Sequence, residues 1–296
     1  MPPKAKKKTT SKKNTAAAEK NLWRRSSLHT KGYFGSLLTL LIVIAIVSIK
    51  AHSDKNETSL QRVSHTINGL EKVVTNPSCD ETIIDYAGMK VSFNPGMHIP
   101  NWVAWELTAE EAIGSETRKN KFMSDNRVSG CPLPSDYSNT GYDRGHMAPA
   151  ADMKWSPLAM KESFYMTNIC PQDKKLNTGS WKRLEEKCRT WAMADSAIII
   201  VAGPVLTDKL TESIGKTNVR VPKRFFKVIL SPYSNPPRAI GFIMPNGNVP
   251  GGMQAAAMSV DEVERITGHD FFSALPDQIE NTVESQCQFH KWSTIK

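Results

Sequence analysis

The chain of 296 residues has no CxxC pair and no paired Cys/His zinc pattern, so a structural Cys/His metal cluster is not expected. No internal repeat is apparent, which leaves one folded domain of about 220 residues rather than an array. With 40% hydrophobic, 8% aromatic and 23% charged residues, it is neither a wholly disordered polymer nor a collagen-like or coiled-coil rod. Acids are almost missing from the first 50 positions, where Glu19 stands alone against eleven lysines and arginines. The formal charge of +9 therefore belongs to that arm, and the remainder carries 27 basic and 28 acidic residues. Affinity of the folded part for an anionic partner must come from local chemistry.

Charge is also absent from Gly32 to Ile49, and 18 residues at 1.5 Å each span about 27 Å, close to a hydrocarbon core of roughly 30 Å. Residues 1–31 are expected to be a basic, solvated arm, 32–51 a transmembrane anchor or uncleaved signal, 52–78 a polar stalk and 79–296 the globular domain. The long basic flank and the poor cleavage site at Ile49-Lys50-Ala51 favour an anchor. The positive-inside rule then keeps Met1 cytoplasmic and exports the domain. The arm's ordinary role is to set orientation, with contact to DNA or anionic headgroups as the alternative. Cys79, Cys131, Cys170, Cys188 and Cys287 all fall in the exported part, so one or two disulfides are expected, with at least one thiol left over.

Short apolar alternations predict strands at Ile83 to Tyr86, Met89 to Phe93 and Trp102 to Leu107. Ser196 to Ala202 reads as a strand buried on both faces, followed by strands at Phe225 to Leu230 and Ala239 to Met244. Trp181, Leu184, Cys188 and Trp191 share one stripe of a helix over Gly179 to Ala194, with Ser180 or Thr178 as its cap. Ser259-Val260-Asp261-Glu262 opens a second helix that stops at Gly268. Trp181 and Trp191 read as core rather than as base-stacking platforms.

The densest polar chemistry is Gly141 to Asp152, GYDRGHMAPAAD. In an extended segment Arg144 and His146 project to one face. An imidazole can take a proton from water while a guanidinium forks onto phosphate oxygens, which is the pairing that phosphodiester hydrolysis needs. By itself the triplet is weak evidence, and on spacing alone a surface or structurally satisfied histidine is the favoured reading. Between Arg118 and Arg189 thirteen basic residues face eight acids, the sign required near a polyanion, although Lys182, Arg183, Lys187 and Arg189 also suit a solvated helix face.

Asp143-Arg144-Gly145-His146-Met147-Ala148-Pro149, Thr167-Asn168-Ile169-Cys170-Pro171-Gln172, Leu176-Asn177-Thr178-Gly179-Ser180-Trp181 and Leu184-Glu185 keep order and spacing in a way that closely resembles the DNA/RNA non-specific endonuclease family. The similarity runs from about Tyr86 to Glu284. It implies an α+β, ββα-metal nuclease fold, with a central antiparallel or mixed sheet flanked by helices, here behind an N-terminal transmembrane helix. It also implies an Mg²⁺-dependent endonuclease acting on the phosphate backbone of DNA and RNA, with Mn²⁺ as a substitute ion. Residue by residue, the resemblance makes His146 the general base, Asn177 the direct metal ligand and Glu185 the carboxylate that holds a metal-bound water. It makes Asn168 a support of the site and Arg144 a phosphate contact. A second arginine of the family is matched by Arg118, with Arg127 as competitor. Cys170 stands where many relatives carry serine, which suggests a bond to Cys188. Relatives are often dimers, so a homodimer is an expected partner. A bacterial envelope facing the periplasm is the favoured address, with the mitochondrial intermembrane space as alternative. A catalytically silent nucleic-acid-binding module and a small-nucleotide phosphodiesterase are the rival functions. One amide oxygen binds metal weakly, which suits a well-hydrated Mg²⁺ better than Zn²⁺.

Overall fold

The computed structural model describes residues 69–295. The basic arm, the expected anchor at 32–51 and most of the expected stalk lie outside the described residues. Among those residues no helix is long and apolar enough to cross a membrane. The strands are β1 (Thr82–Asp85), β2 (Lys90–Asn94), β3 (Ile99–Thr108), β4 (Asp143–His146), β5 (Ile169–Gln172), β6 (Ala197–Pro204), β7 (Ser213–Ile214), β8 (Val219–Arg220), β9 (Arg224–Ser231), β10 (Arg238–Pro245) and β11 (Ala257–Met258). The helices are α1 (Ala109–Ala112), α2 (Pro157–Glu162), α3 (Trp181–Asp195), α4 (Gly252–Ala256), α5 (Val260–Thr267), α6 (Asp277–Glu284) and α7 (Phe289–Ser293).

Seven strands form one sheet in the order β1-β2-β3-β6-β9-β10-β11, every pair antiparallel. The fold is therefore α+β with an antiparallel central sheet. Successive side chains on a strand point to opposite faces, so a strand covered on both sides can be apolar throughout. In β6, Ile198, Ile200 and Ala202 enter one core while Ile199 and Val201 enter the other. The first core also takes Trp105 of β3, Phe225 and Ile229 of β9, Phe242 of β10 and the stripe Trp181, Leu184, Cys188 and Trp191 of α3. The second takes Trp102 of β3, Phe226, Val228 and Leu230 of β9, and Val260, Val263 and Val283 of α5 and α6. β4 and β5 form a separate two-stranded ribbon that leads directly into α3.

Several expectations are corrected. All five cysteines are free thiols, so neither the expected disulfides nor the Cys170 to Cys188 bond is present. Both of those residues pack as small apolar groups in the first core. Residues 70–76, assigned to the stalk, belong to the folded domain: Leu70 and Val73 are buried in the second core and Val74 pairs with Asp270. The α3 helix begins without a side-chain cap and continues from a π turn at Leu176–Ser180, broken by non-helical backbone at Gly179. Thr178, a proposed cap, instead donates its hydroxyl back to the Lys174 carbonyl at 2.8 Å. The other helix start holds: Ser259 accepts from the Glu262 amide, and Gly268 ends α5 at φ 73°.

Candidate active site

β4 pairs residue for residue with β5: Asp143 with Gln172, Arg144 with Pro171, Gly145 with Cys170 and His146 with Ile169. Gly145 is needed because a Cβ at that position would collide with the Gln172 side chain. Two hydrogen bonds tie this strand to the chain after β5. At its start Asn177 Nδ2 donates to Asp143 Oδ2 (2.9 Å), and at its end Trp181 Nε1 donates to the His146 carbonyl (3.3 Å). The strand that carries His146 and the turn that carries Asn177 therefore lie side by side.

His146 is only 8% exposed and its Nε2 has no hydrogen-bond partner. Its ring meets Phe164 edge-on with centroids 5.1 Å apart and Phe122 at 5.4 Å. Burial, helped by the positive charge of Arg118, pushes its pKa down to about 3. The imidazole is neutral at physiological pH. An unpartnered buried polar atom costs about 1–3 kcal/mol, so such an atom calls for a reason beyond folding.

The two aromatic rings beside His146 each carry an arginine. The Arg118 guanidinium lies 5.4 Å from the Phe164 centroid and that of Arg144 lies 5.3 Å from Phe122. Arg144 also donates from Nε and Nη2 to the Pro134 carbonyl (3.3 and 2.8 Å), and Arg118 Nε donates to Asn120 Oδ1 (2.6 Å). Arg127, the competing match, is instead paired with Asp125 (Nη2 to Oδ2 2.6 Å) and stacked near Tyr86 and Tyr165. The geometry brings Arg118 to His146 and spends Arg127 elsewhere.

Asn168 is fully buried and satisfied by backbone alone. It accepts from the Ala148 amide and donates to the Ala148 and Ser163 carbonyls, each at 2.9 Å. It fixes the path of the chain two residues past His146, which makes it a positioning residue. Asn177 sits in the π turn ahead of α3 rather than in its first turn. With its nitrogen committed to Asp143, its carbonyl oxygen is the atom it offers a ligand. Glu185 is half-buried on α3. Burial pushes its carboxyl up to about 7, Asp152 adds to the rise, and the charges of Lys227, Arg189 and Arg118 oppose it.

Sequence reasoning gave no role to the group beneath Glu185. Lys227 of β9 is completely buried, with its ammonium 4.6 Å from the Trp181 ring centre and 4.9 Å from that of Trp105. It donates a long hydrogen bond (3.5 Å) to the Met147 carbonyl, next to His146. Asp152 is paired with Arg189 at 2.9 Å and accepts from Trp105 Nε1 at 3.2 Å. Burial raises the Asp152 carboxyl, and Arg189 and Lys227 pull it back. The signal for Lys227 was in the sequence: it occupies an inward position between Phe225 and Ile229, where the strand period calls for an apolar residue. The Asp152–Arg189 pair joins residues 37 apart and had no such signal.

A neutral acceptor ring held beside two guanidinium groups, next to hard oxygen donors, is chemistry for cutting phosphate esters, and it points to the class of nucleic-acid hydrolases. Residues 68–278 match the family model described as DNA/RNA non-specific endonuclease, and the chain belongs to that family. It is 33% identical over 238 residues to the mitochondrial nuclease EXOG of Danio rerio, covering 74% of this chain and 69% of that protein. With the mitochondrial nuclease EXOG of Mus musculus it shares 35% identity over 210 residues, 64% of this chain and 56% of that protein. A solved structure of an EndoG/EndoGI complex, which concerns EndoG inhibition, superposes with a TM-score of 0.62 at 26% identity, covering 67% of this chain and 88% of that one.

Proposed function

We propose that the protein is an Mg²⁺-dependent endonuclease that hydrolyses phosphodiester bonds in DNA and RNA with little sequence preference. The observation that carries this reading is the buried, neutral His146 with an unpartnered ring nitrogen between two arginine-bearing aromatic rings. In this mechanism the imidazole takes a proton from the attacking water on the ring nitrogen that carries none. Arg118 and Arg144 hold the non-bridging phosphate oxygens, and Asn168 keeps the backbone beyond His146 in register. Asn177, with Glu185 acting through water, would hold the divalent ion. An oxygen-only donor set without thiolate or imidazole suits Mg²⁺, or Mn²⁺ in its place. When bound, that ion supplies charge neutralisation at the leaving 3′ oxygen. Because phosphate contacts carry no base information, the same site serves both nucleic acids.

The test is conversion of closed circular DNA and of a long single-stranded RNA, with and without EDTA. Cutting of both that stops on chelation supports the reading. Binding without cutting would make the protein a silent nucleic-acid-binding module, and turnover of dinucleotides alone would make it a small phosphodiesterase. The relatives named above are mitochondrial nucleases, which supports a mitochondrial intermembrane address and not the bacterial envelope favoured from the sequence. In this reading residues 32–51 anchor the chain and the domain faces the intermembrane space. Carbonate extraction and protease protection of isolated mitochondria test both parts. Self-association as a dimer is read by sedimentation.

A further inference from the structure

The face of the sheet away from His146 holds a second concentration of charge. Asp261 and Glu264, three residues apart on α5, converge with Glu284 at the end of α6, with one carboxylate oxygen of each within 4.8 Å of the others. Glu284 is only 3% exposed and its Oε1 has no hydrogen-bond partner. Glu264 commits Oε1 to the Phe271 amide (2.7 Å), which leaves its other oxygen available. The four charges that bear most on Glu284 are all acidic: Glu264, Glu280, Asp261 and Asp270. A buried carboxylate facing only acids must be balanced by a proton or by a cation.

We propose that Asp261, Glu264 and Glu284 form a divalent-cation site, separate from the catalytic one, whose natural occupant is Ca²⁺ and which pins α6 to α5. Calcium accepts several carboxylates in loose geometry at about 2.3–2.6 Å, a reach that carboxylate oxygens within 4.8 Å of one another allow. Magnesium, at about 2.0–2.1 Å and with a preference for keeping its waters, fits three converging carboxylates less well. Asp261 is exposed and opens the site to solvent, while buried Glu284 closes its inner end. Val260, Val263 and Val283 of the same two helices pack in the second core, so an ion here fastens helices that already share an apolar floor.

The test uses the full chain in detergent carrying Asn177→Ala, titrated with Ca²⁺ alone by calorimetry and followed by thermal melting. One bound Ca²⁺ and a rise in Tm of about 4 °C at saturation are expected, with a smaller rise for Mg²⁺. Asp261→Asn combined with Glu264→Gln removes both signals, and Glu284→Gln removes the binding. No bound calcium, or calcium binding that survives the double substitution, would overturn the site. Because no readout is nuclease activity, failure of the catalytic proposal leaves this result intact.

Discussion

β9 offers Phe225, Lys227 and Ile229 to the side of the sheet that carries α3, and Phe226, Val228 and Leu230 to the other. The strand is the same and the period is the same, yet one face takes a charged group into its centre. Lys227 there is joined by Asp152, Arg189 and the neutral His146, whereas the opposite core packs apolar side chains from β3 to α6, with His269 and Glu284 as buried polar groups beside it. Replacing buried ion groups by well-packed apolar ones is often neutral or stabilising by about 1–4 kcal/mol, so the charged face is not arranged for stability. It holds two peptide carbonyls, those of His146 and Met147, through Trp181 and Lys227. The comparison teaches that on the α3 side buried polarity serves to fix the backbone of the strand that carries His146.

The sharpest way to break that contrast is His146→Ala, which should lower nicking of closed circular DNA by about 10²–10⁴-fold while the protein still unfolds cooperatively. Full activity would remove the assigned base. On the opposite face, Phe226→Ala should cost about 3–5 kcal/mol in a denaturant titration, with kcat per folded molecule unchanged. If kcat falls as well, the two faces are not independent. Lys227→Met should lower kcat by about tenfold with little change in KM and no loss of stability, and Lys227→Arg should recover part of the rate. A loss of stability at constant kcat would make Lys227 an ordinary structural residue. Arg118→Ala should raise KM several-fold and flatten its salt dependence, whereas Arg127→Ala should leave both unchanged.

A further effect concerns pH. His146 titrates near 3 when folded and near its ordinary value of about 6.5 when unfolded, so between those limits the unfolded chain binds the extra proton. Stability therefore falls as pH drops from 6.5 towards 3. His146→Asn should reduce that slope relative to the parent protein, as read by melting at pH 4 and pH 7.

The strands of the central sheet were legible because their period repeats every two residues and their ends carry Gly, Pro or Asn. Ser196 to Ala202 read as doubly buried and β6 is buried along its whole length. The α3 stripe was legible for the same reason at a helical period. What spacing could not show was the π turn at Leu176–Ser180, since a helix that starts on the wrong turn has the same composition as one that starts on the right turn. Oxidation of Cys170 and Cys188 was expected on compartment and resemblance, but both thiols are occupied in apolar packing. Arg118 and Arg127 looked alike in sequence, and only the placement of Phe164 and Asp125 separates them.

Asn177 grips the first residue of β4 and Trp181 grips the last, through one continuous stretch of chain. The proposed proton acceptor and the proposed ion holder are thus fastened to each other at both ends of β4, which opposes a hinge between them. In the proposed mechanism, adjustment to substrates of different width, from a paired duplex to a lone strand, would fall to the guanidinium groups of Arg118 and Arg144. Of the two, Arg118 is the more exposed, reaching out from the loop after α1 rather than from the clasped strand.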